Sequence, residues 1–138
     1  MKSSMECSWI DGMAFEAEVN GHKLVIDAMP EVGGEDRGPR PKPLLMLALA
    51  GCTGMDVIYI LRKMKQNPTW FNVKVDAELT EEHPKHYSSM TVIYQFKEAD
   101  QLDDKKVQRA VTLSQEQYCG VSAQLGKSAA MDHRIEYV

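Results

Sequence analysis

The segment "LALAGCTGMDVIYIL" (Leu47–Leu61) decides how the chain is read. Most of it is apolar, and its one thiol, Cys52, is flanked by the small residues Ala50, Gly51, Thr53 and Gly54. So thin a surround serves either the close approach of another backbone or a sulfur that must meet a substrate. Pro43 suits the first turn of a helix, where a missing N–H costs nothing. Arg62, Lys63 and Lys65 suit the negative end of its dipole, and Asn67-Pro68 stops it. The pattern predicts a helix from Pro43 to Lys65 or Gln66, roughly 30 Å long. Its first half is apolar all round, which predicts burial on every side. A chain of 138 residues is small for that task, so a partner subunit is expected.

On the N-terminal side, "MAFEAEV" (Met13–Val19) and "HKLVIDA" (His22–Ala28) flank Asn20-Gly21. Asn-Gly between strand-like runs is a strong hairpin signal, because both turn residues need positive φ. "MECSWI" (Met5–Ile10) suggests a further strand, with Cys7 as a structural residue in it. "PEVGGEDRGPRPKP" (Pro30–Pro43) is long for a compact domain, which marks it as functional or intersubunit.

On the C-terminal side, "WFNVKVDAELT" (Trp70–Thr80) alternates Phe71, Val73, Val75, Ala77 and Leu79, and "SMTVIYQFKEA" (Ser89–Ala99) alternates Met90, Val92, Tyr94 and Phe96. Both read as half-buried strands. Asp103-Asp104 open a helix that turns Val107, Ala110, Val111 and Leu113 inward. "YCGVSAQLGKS" continues it after a break near Gly120, and "HRIEYV" (His133–Val138) is a terminal strand. The order predicts one α+β domain over residues 1–138, with antiparallel sheets around a long central helix.

The formal net charge of −4 and the lack of a basic stretch argue against nucleic-acid and anionic-membrane partners. The N-terminus lacks a signal-type apolar run, and the longest uninterrupted apolar stretch, Leu44–Ala50, falls short of a membrane span. A cytoplasmic protein is expected. Three widely spaced cysteines form neither a disulfide scaffold nor a CxxC zinc site, and no cofactor or metal is expected. His83 and His86 flank Pro84 with no third ligand nearby and read as solvated.

A cysteine attacks only as the thiolate, so its surroundings must lower a pKa of about 8.5. Cys52 lies too deep in its helix to use the N-terminal dipole. Asp56, one turn further along the same face, would raise its pKa; that carboxylate suits capping a buried polar network or orienting a cation. Cys119, beside Gly120, Ser122 and Ala123, shares the small-residue context. Spacing alone leaves both fates open, core thiols or a redox pair.

"GPRPKPLLMLALAGCTGMDV" together with "QYCGVSAQL" resembles the OsmC/Ohr family (osmotically inducible protein C and organic hydroperoxide resistance protein), in its OsmC-like branch with "GCTG.DV" and "YC.VS". The likeness extends over nearly the full chain. It implies an intertwined homodimer with sites at the subunit interface and a thiol-dependent peroxidase. The resemblance implies that Cys52 attacks an organic hydroperoxide and that Cys119 closes a disulfide with the resulting sulfenic acid. A dithiol reductant, lipoyl-type in some members, then reopens that bond. In the well-characterised groups a hairpin arginine contacts the thiolate and a glutamate before the helix holds it. Here the hairpin offers only His22 and Lys23, the glutamate position falls on Lys42, and its acidic neighbour on Pro43. Arg37, Arg40 and Lys42 are replacements by charge only. The alternative is a non-enzymatic or weakly active relative whose dimer cleft binds a small hydrophobic or thiol-reactive ligand.

Overall fold

A computed structural model describes all 138 residues, which fall into two compact units, Met1–Leu45 and Met46–Val138. The first unit is an antiparallel sheet of β1 (Cys7–Asp11), β2 (Ala14–Val19) and β3 (His22–Ile26) in sequential order. Asn20 and Gly21 both take positive φ (52° and 80°), as a tight Asn-Gly hairpin requires. The Pro30–Pro43 segment is tied back onto this hairpin through Asp27, whose side chain is fully buried. Its carboxylate accepts from the N–H groups of Ala28 (2.8 Å), Glu35 (3.1 Å) and Arg37 (3.2 Å). Burial opposes its charge, but these amides and the Arg37 guanidinium outweigh burial and hold the carboxyl below its usual range. Two glycines let the segment lie this close: a Cβ at Gly34 would sit 1.8 Å from the Ala28 carbonyl oxygen, and one at Gly38 2.0 Å from that of Val25. Only Ala14 and Asp27 are buried in this unit, while Trp9, Phe15 and Leu24 are exposed.

The long helix α1 (Leu44–Lys63) begins at the last two residues of the first unit and runs through the start of the second. The second unit continues with β4 (Phe71–Leu79), β5 (Tyr87–Phe96), α2 (Asp104–Leu113), a π-helical turn (Ser114–Tyr118), α3 (Gly120–Leu125) and β6 (Ala130–Tyr137). β4 and β5 pair antiparallel, but β6 pairs parallel to β5, so the sheet is mixed rather than antiparallel throughout. The cause is the connection: the helical segment between β5 and β6 is long enough to return the chain in the same direction, which a hairpin cannot do. The last strand also starts at Ala130, three residues before the expected His133. β5 is the central strand, with Ile93 between Lys74 and Arg134 of its two neighbours; Val92, Ile93 and Tyr94 are buried in succession, and the expected alternation fails at Ile93.

α1 presents Leu49, Thr53, Val57 and Leu61, one buried stripe at i, i+4 spacing, to a core of Met90, Val92, Tyr94 and Phe96 from β5 and Val107, Ala110 and Val111 from α2. Phe71 stacks on Phe96 at 4.5 Å. Asp103 caps α2 by accepting from the N–H groups of Lys105 and Lys106. The expectation that the first half of α1 is buried all round is corrected within one chain: Leu45 and Leu47 are exposed there, as are Met55 and Tyr59 further along the helix. Taken whole, α1 is also long and apolar enough to cross a membrane by length and composition, which the count over Leu44–Ala50 missed. Its Leu49–Leu61 stripe is seated against the protein core.

Candidate functional site

Cys52 and Cys119 are brought together by a break in the second helical segment. In the π-helical turn the Cys119 N–H donates to the Ser114 carbonyl at 2.8 Å, five residues back. Such turns recur at functional sites because they re-aim the next residue. Cys119 then leaves the helical conformation (φ −77°, ψ 100°) and caps α3, its Sγ accepting from the Ser122 N–H at 3.3 Å. The break therefore falls on Ser114–Cys119, ahead of Gly120. Both thiols are free; Cys119 is buried and Cys52 half-buried. Their sulfurs and a carboxylate oxygen of Asp56 all lie within 4.8 Å of one another. Cys7 stands apart in the first unit, on edge strand β1, whose five residues are all exposed.

The setting does not favour the Cys52 thiolate. Burial pushes this thiol up, Cys119 and Asp56 push it further, and the Val121 N–H offsets them only in part. The arginines named as replacement cations have carboxylate partners inside the first unit. Arg37 binds Asp11 at 2.7 Å and lies near Asp27 (3.5 Å) and Glu35 (3.6 Å), and Arg40 binds Asp36 at 2.8 Å. Lys23 pairs with Glu16, and Lys42 is exposed.

Asp56 ends a buried polar chain. Ser114 Oγ donates to Asp56 Oδ2 at 2.9 Å. A hydroxyl has one proton, and an ionised carboxylate only accepts. Thr53 must therefore donate to Ser114 (2.7 Å), Tyr94 must donate to Thr53 (2.6 Å), and Gln115 Nε2 supplies the Tyr94 oxygen. Every proton in this series points towards Asp56. Thr53, Tyr94 and Ser114 are completely buried, and burial pushes the Tyr94 phenol up, keeping it neutral. The sequence pointed to Asp56 as the end of such a network but to none of its other members. They come from α1, β5 and the π-helical turn, and only Thr53, next to Cys52, carried a local hint.

Asp56 also borders a mostly apolar cleft of about 650 Å³, lined further by Tyr59, Ile60, Leu113 and Tyr118, with Lys63 against the Tyr59 ring at 4.6 Å. A larger concavity on the first unit, about 780 Å³, is lined by Met5, Glu16 and Lys23 among others and holds no thiol. His83 and His86 are exposed in the β4–β5 connection, where His86 Nδ1 lies 2.8 Å from the Pro84 carbonyl.

Residues 33–134 match the family model described as OsmC-like protein. The chain belongs to the OsmC-like family, and its α+β fold, with two small sheets and one long central helix, is that of OsmC-like structures. Protein YhfA of Escherichia coli strain K12 is 33% identical over 131 residues, 94% of each chain. The crystal structure of a hypothetical protein from Aquifex aeolicus is 25% identical with a TM-score of 0.82, covering 100% of this chain and 96% of that one. The organic hydroperoxide resistance protein OhrB of Bacillus subtilis superposes with a TM-score of 0.67 over 98% of both chains at 15% identity, a likeness of fold.

Proposed function

We propose that this protein is a thiol peroxidase for organic hydroperoxides, working through Cys52 and Cys119. The observation that carries the reading is the convergence of these two free thiols, one half-buried and one buried, within 4.8 Å. The Cys52 thiolate attacks one oxygen of the O–O bond. That bond breaks, an alcohol leaves after taking up a proton, and Cys52 becomes a sulfenic acid. The Cys119 sulfur then attacks the Cys52 sulfur, closing a disulfide and releasing water. An external dithiol, of lipoyl type, restores both thiols by exchange. Disulfide sulfurs lie about 2.05 Å apart, so closure requires only a local movement of side chains already in contact range. The apolar cleft beside Asp56 suits the organic part of the hydroperoxide. Peptide mapping after one equivalent of an organic hydroperoxide is expected to find Cys52 linked to Cys119. A link through Cys7, or both thiols still free, would overturn the reading.

On this reading residues 1–138 act as one functional domain, in the cytoplasm, as a homodimer. Leu47, Met55 and Tyr59 on α1 are large apolar side chains left exposed in one chain, as are Trp9, Phe15 and Leu24 on the first sheet. A second copy is the covering partner we propose. Light scattering at low micromolar concentration is expected to give about twice the chain mass of 15.6 kDa. A folded monomer there would refute it.

The second reading is a weakly active protein whose cleft binds a small hydrophobic or thiol-reactive molecule. The burial of Cys52, with Cys119 and Asp56 beside it, favours this reading because it disfavours the thiolate. Stoichiometric binding of a hydroperoxide's alcohol analogue, with no disulfide formed by the hydroperoxide itself, would decide for this alternative.

A further inference from the structure

We propose that Cys52, Cys119 and Asp56 form a binding site for a thiophilic divalent cation, with zinc the natural occupant. Two sulfurs and a carboxylate oxygen within 4.8 Å of one another fit around a single ion. Zinc–sulfur bonds are about 2.3 Å and zinc–carboxylate bonds about 2.0–2.2 Å, so atoms sharing one ion lie at most about 4.6 Å apart, and a small movement of these side chains brings a cluster within 4.8 Å into that reach. Three protein ligands leave a fourth position to water, the arrangement of an open zinc site.

The surroundings support an ion in three ways. The groups that converge are all acidic, and the arginines Arg37 and Arg40 have their own carboxylates, so a cation is the component this cluster lacks. A bound divalent ion would itself deprotonate the thiols it binds: two protons leave as two thiolate bonds form. Asp56 is already oriented, because Ser114 holds one of its oxygens and is held in turn by Thr53 and Tyr94. Outer-shell hydrogen bonding of this kind fixes a ligating carboxylate. One further polar atom nearby is unsatisfied: the Ser122 hydroxyl, on the residue whose N–H reaches Cys119, is buried without a partner.

The zinc site does not rest on the proposed peroxidase cycle, since it concerns the reduced protein without any peroxide. The two states exclude each other, because sulfurs joined in a disulfide are no longer thiolates.

The test uses wild-type, fully reduced protein and zinc ion alone. Brief alkylation followed by peptide mapping reads each cysteine separately. One equivalent of zinc is expected to slow alkylation of Cys52 and of Cys119 at least tenfold, while Cys7 reacts at its metal-free rate. Equal reactivity of Cys52 and Cys119 with and without zinc would overturn the site, as would protection of Cys7 instead. A cadmium titration followed by sulfur-to-metal absorbance extends the test to the carboxylate. Asp56→Asn is expected to keep the two-thiolate absorbance and weaken binding by about tenfold or more. Unchanged affinity would remove Asp56 from the ligand set. Disulfide formation by a hydroperoxide is measured separately, so failure of either proposal leaves the other standing.

Discussion

Metal-free, reduced protein is expected to consume an organic hydroperoxide slowly at neutral pH, and faster by close to tenfold for each pH unit above it. The expectation follows from the thiolate population. Burial raises the Cys52 thiol above its usual value, and Cys119 and Asp56 add to that. Below the thiol pKa the attacking species grows about tenfold per pH unit, and each such factor of ten corresponds to about 1.4 kcal/mol. A less acidic thiol gives a more reactive thiolate, which recovers part of the loss but does not flatten the profile. Asp56→Asn removes the negative charge while keeping an acceptor for Ser114. It is expected to move the profile to lower pH and to speed the reaction at neutrality. Arg37→Ala, Arg40→Ala and Lys42→Ala are expected to leave the profile in place, since both arginines are held by Asp11 and Asp36 in the first unit. A pH–rate series on chelator-treated protein checks all four variants. A fast reaction, flat through neutrality and abolished by one of the three cation variants, would show a thiolate stabilised from elsewhere.

Elements with local causes were legible in the sequence. Asn20-Gly21 specified its own turn, and Asp103 capped α2, because the physics of each sits within a few residues. α1 starts directly after Pro43 for the same reason, but it ends at Lys63, short of the expected Lys65 or Gln66, and Lys65 already takes a left-handed φ of 60°. What escaped was set by partners distant along the chain. The parallel pairing of β6 depends on which edge of β5 is free after the α2–α3 crossover. Burial of Ile93 depends on β5 being central. The order of the Pro30–Pro43 segment depends on Asp27, a residue that looked like the end of a strand.

The candidate site divides along the same line. Cys52 and Cys119 stood out because small residues surround both, and the resemblance supplied their pairing. Asp56 was visible as a same-face neighbour of Cys52, one helical turn away. Tyr94 and Ser114 were not, because a phenol on an apolar strand and a serine late in a helix look ordinary until the fold joins them to Thr53. Their arrangement makes polar groups part of the core directly behind the thiols, where an apolar core would have been simpler to build.

That polar chain yields the largest stability effect we expect. Thr53→Val keeps the volume and branching of the side chain, so any loss comes from the hydroxyl rather than from a cavity. It removes the acceptor for the Tyr94 proton and the donor for Ser114, in a place from which water is excluded. Each buried group left without a partner costs about 1–3 kcal/mol. Thr53→Val should therefore destabilise by about 2–4 kcal/mol, a large part of the margin of a small protein. Tyr94→Phe removes a donor and its proton together. It strands the Gln115 amide, which is half-buried and already 3.5 Å from Thr53 Oγ1, so it can turn to another partner. Its cost should be about 1 kcal/mol. The direction of the protons then dictates the double variant. With Tyr94→Phe in place there is no buried phenol proton to strand, so Thr53→Val/Tyr94→Phe should cost clearly less than the sum of the singles. Urea midpoints at unchanged slope measure all three. If the singles cost the same and add in the double, the protons do not run from Tyr94 to Asp56, and the orientation derived from single-proton hydroxyls is wrong.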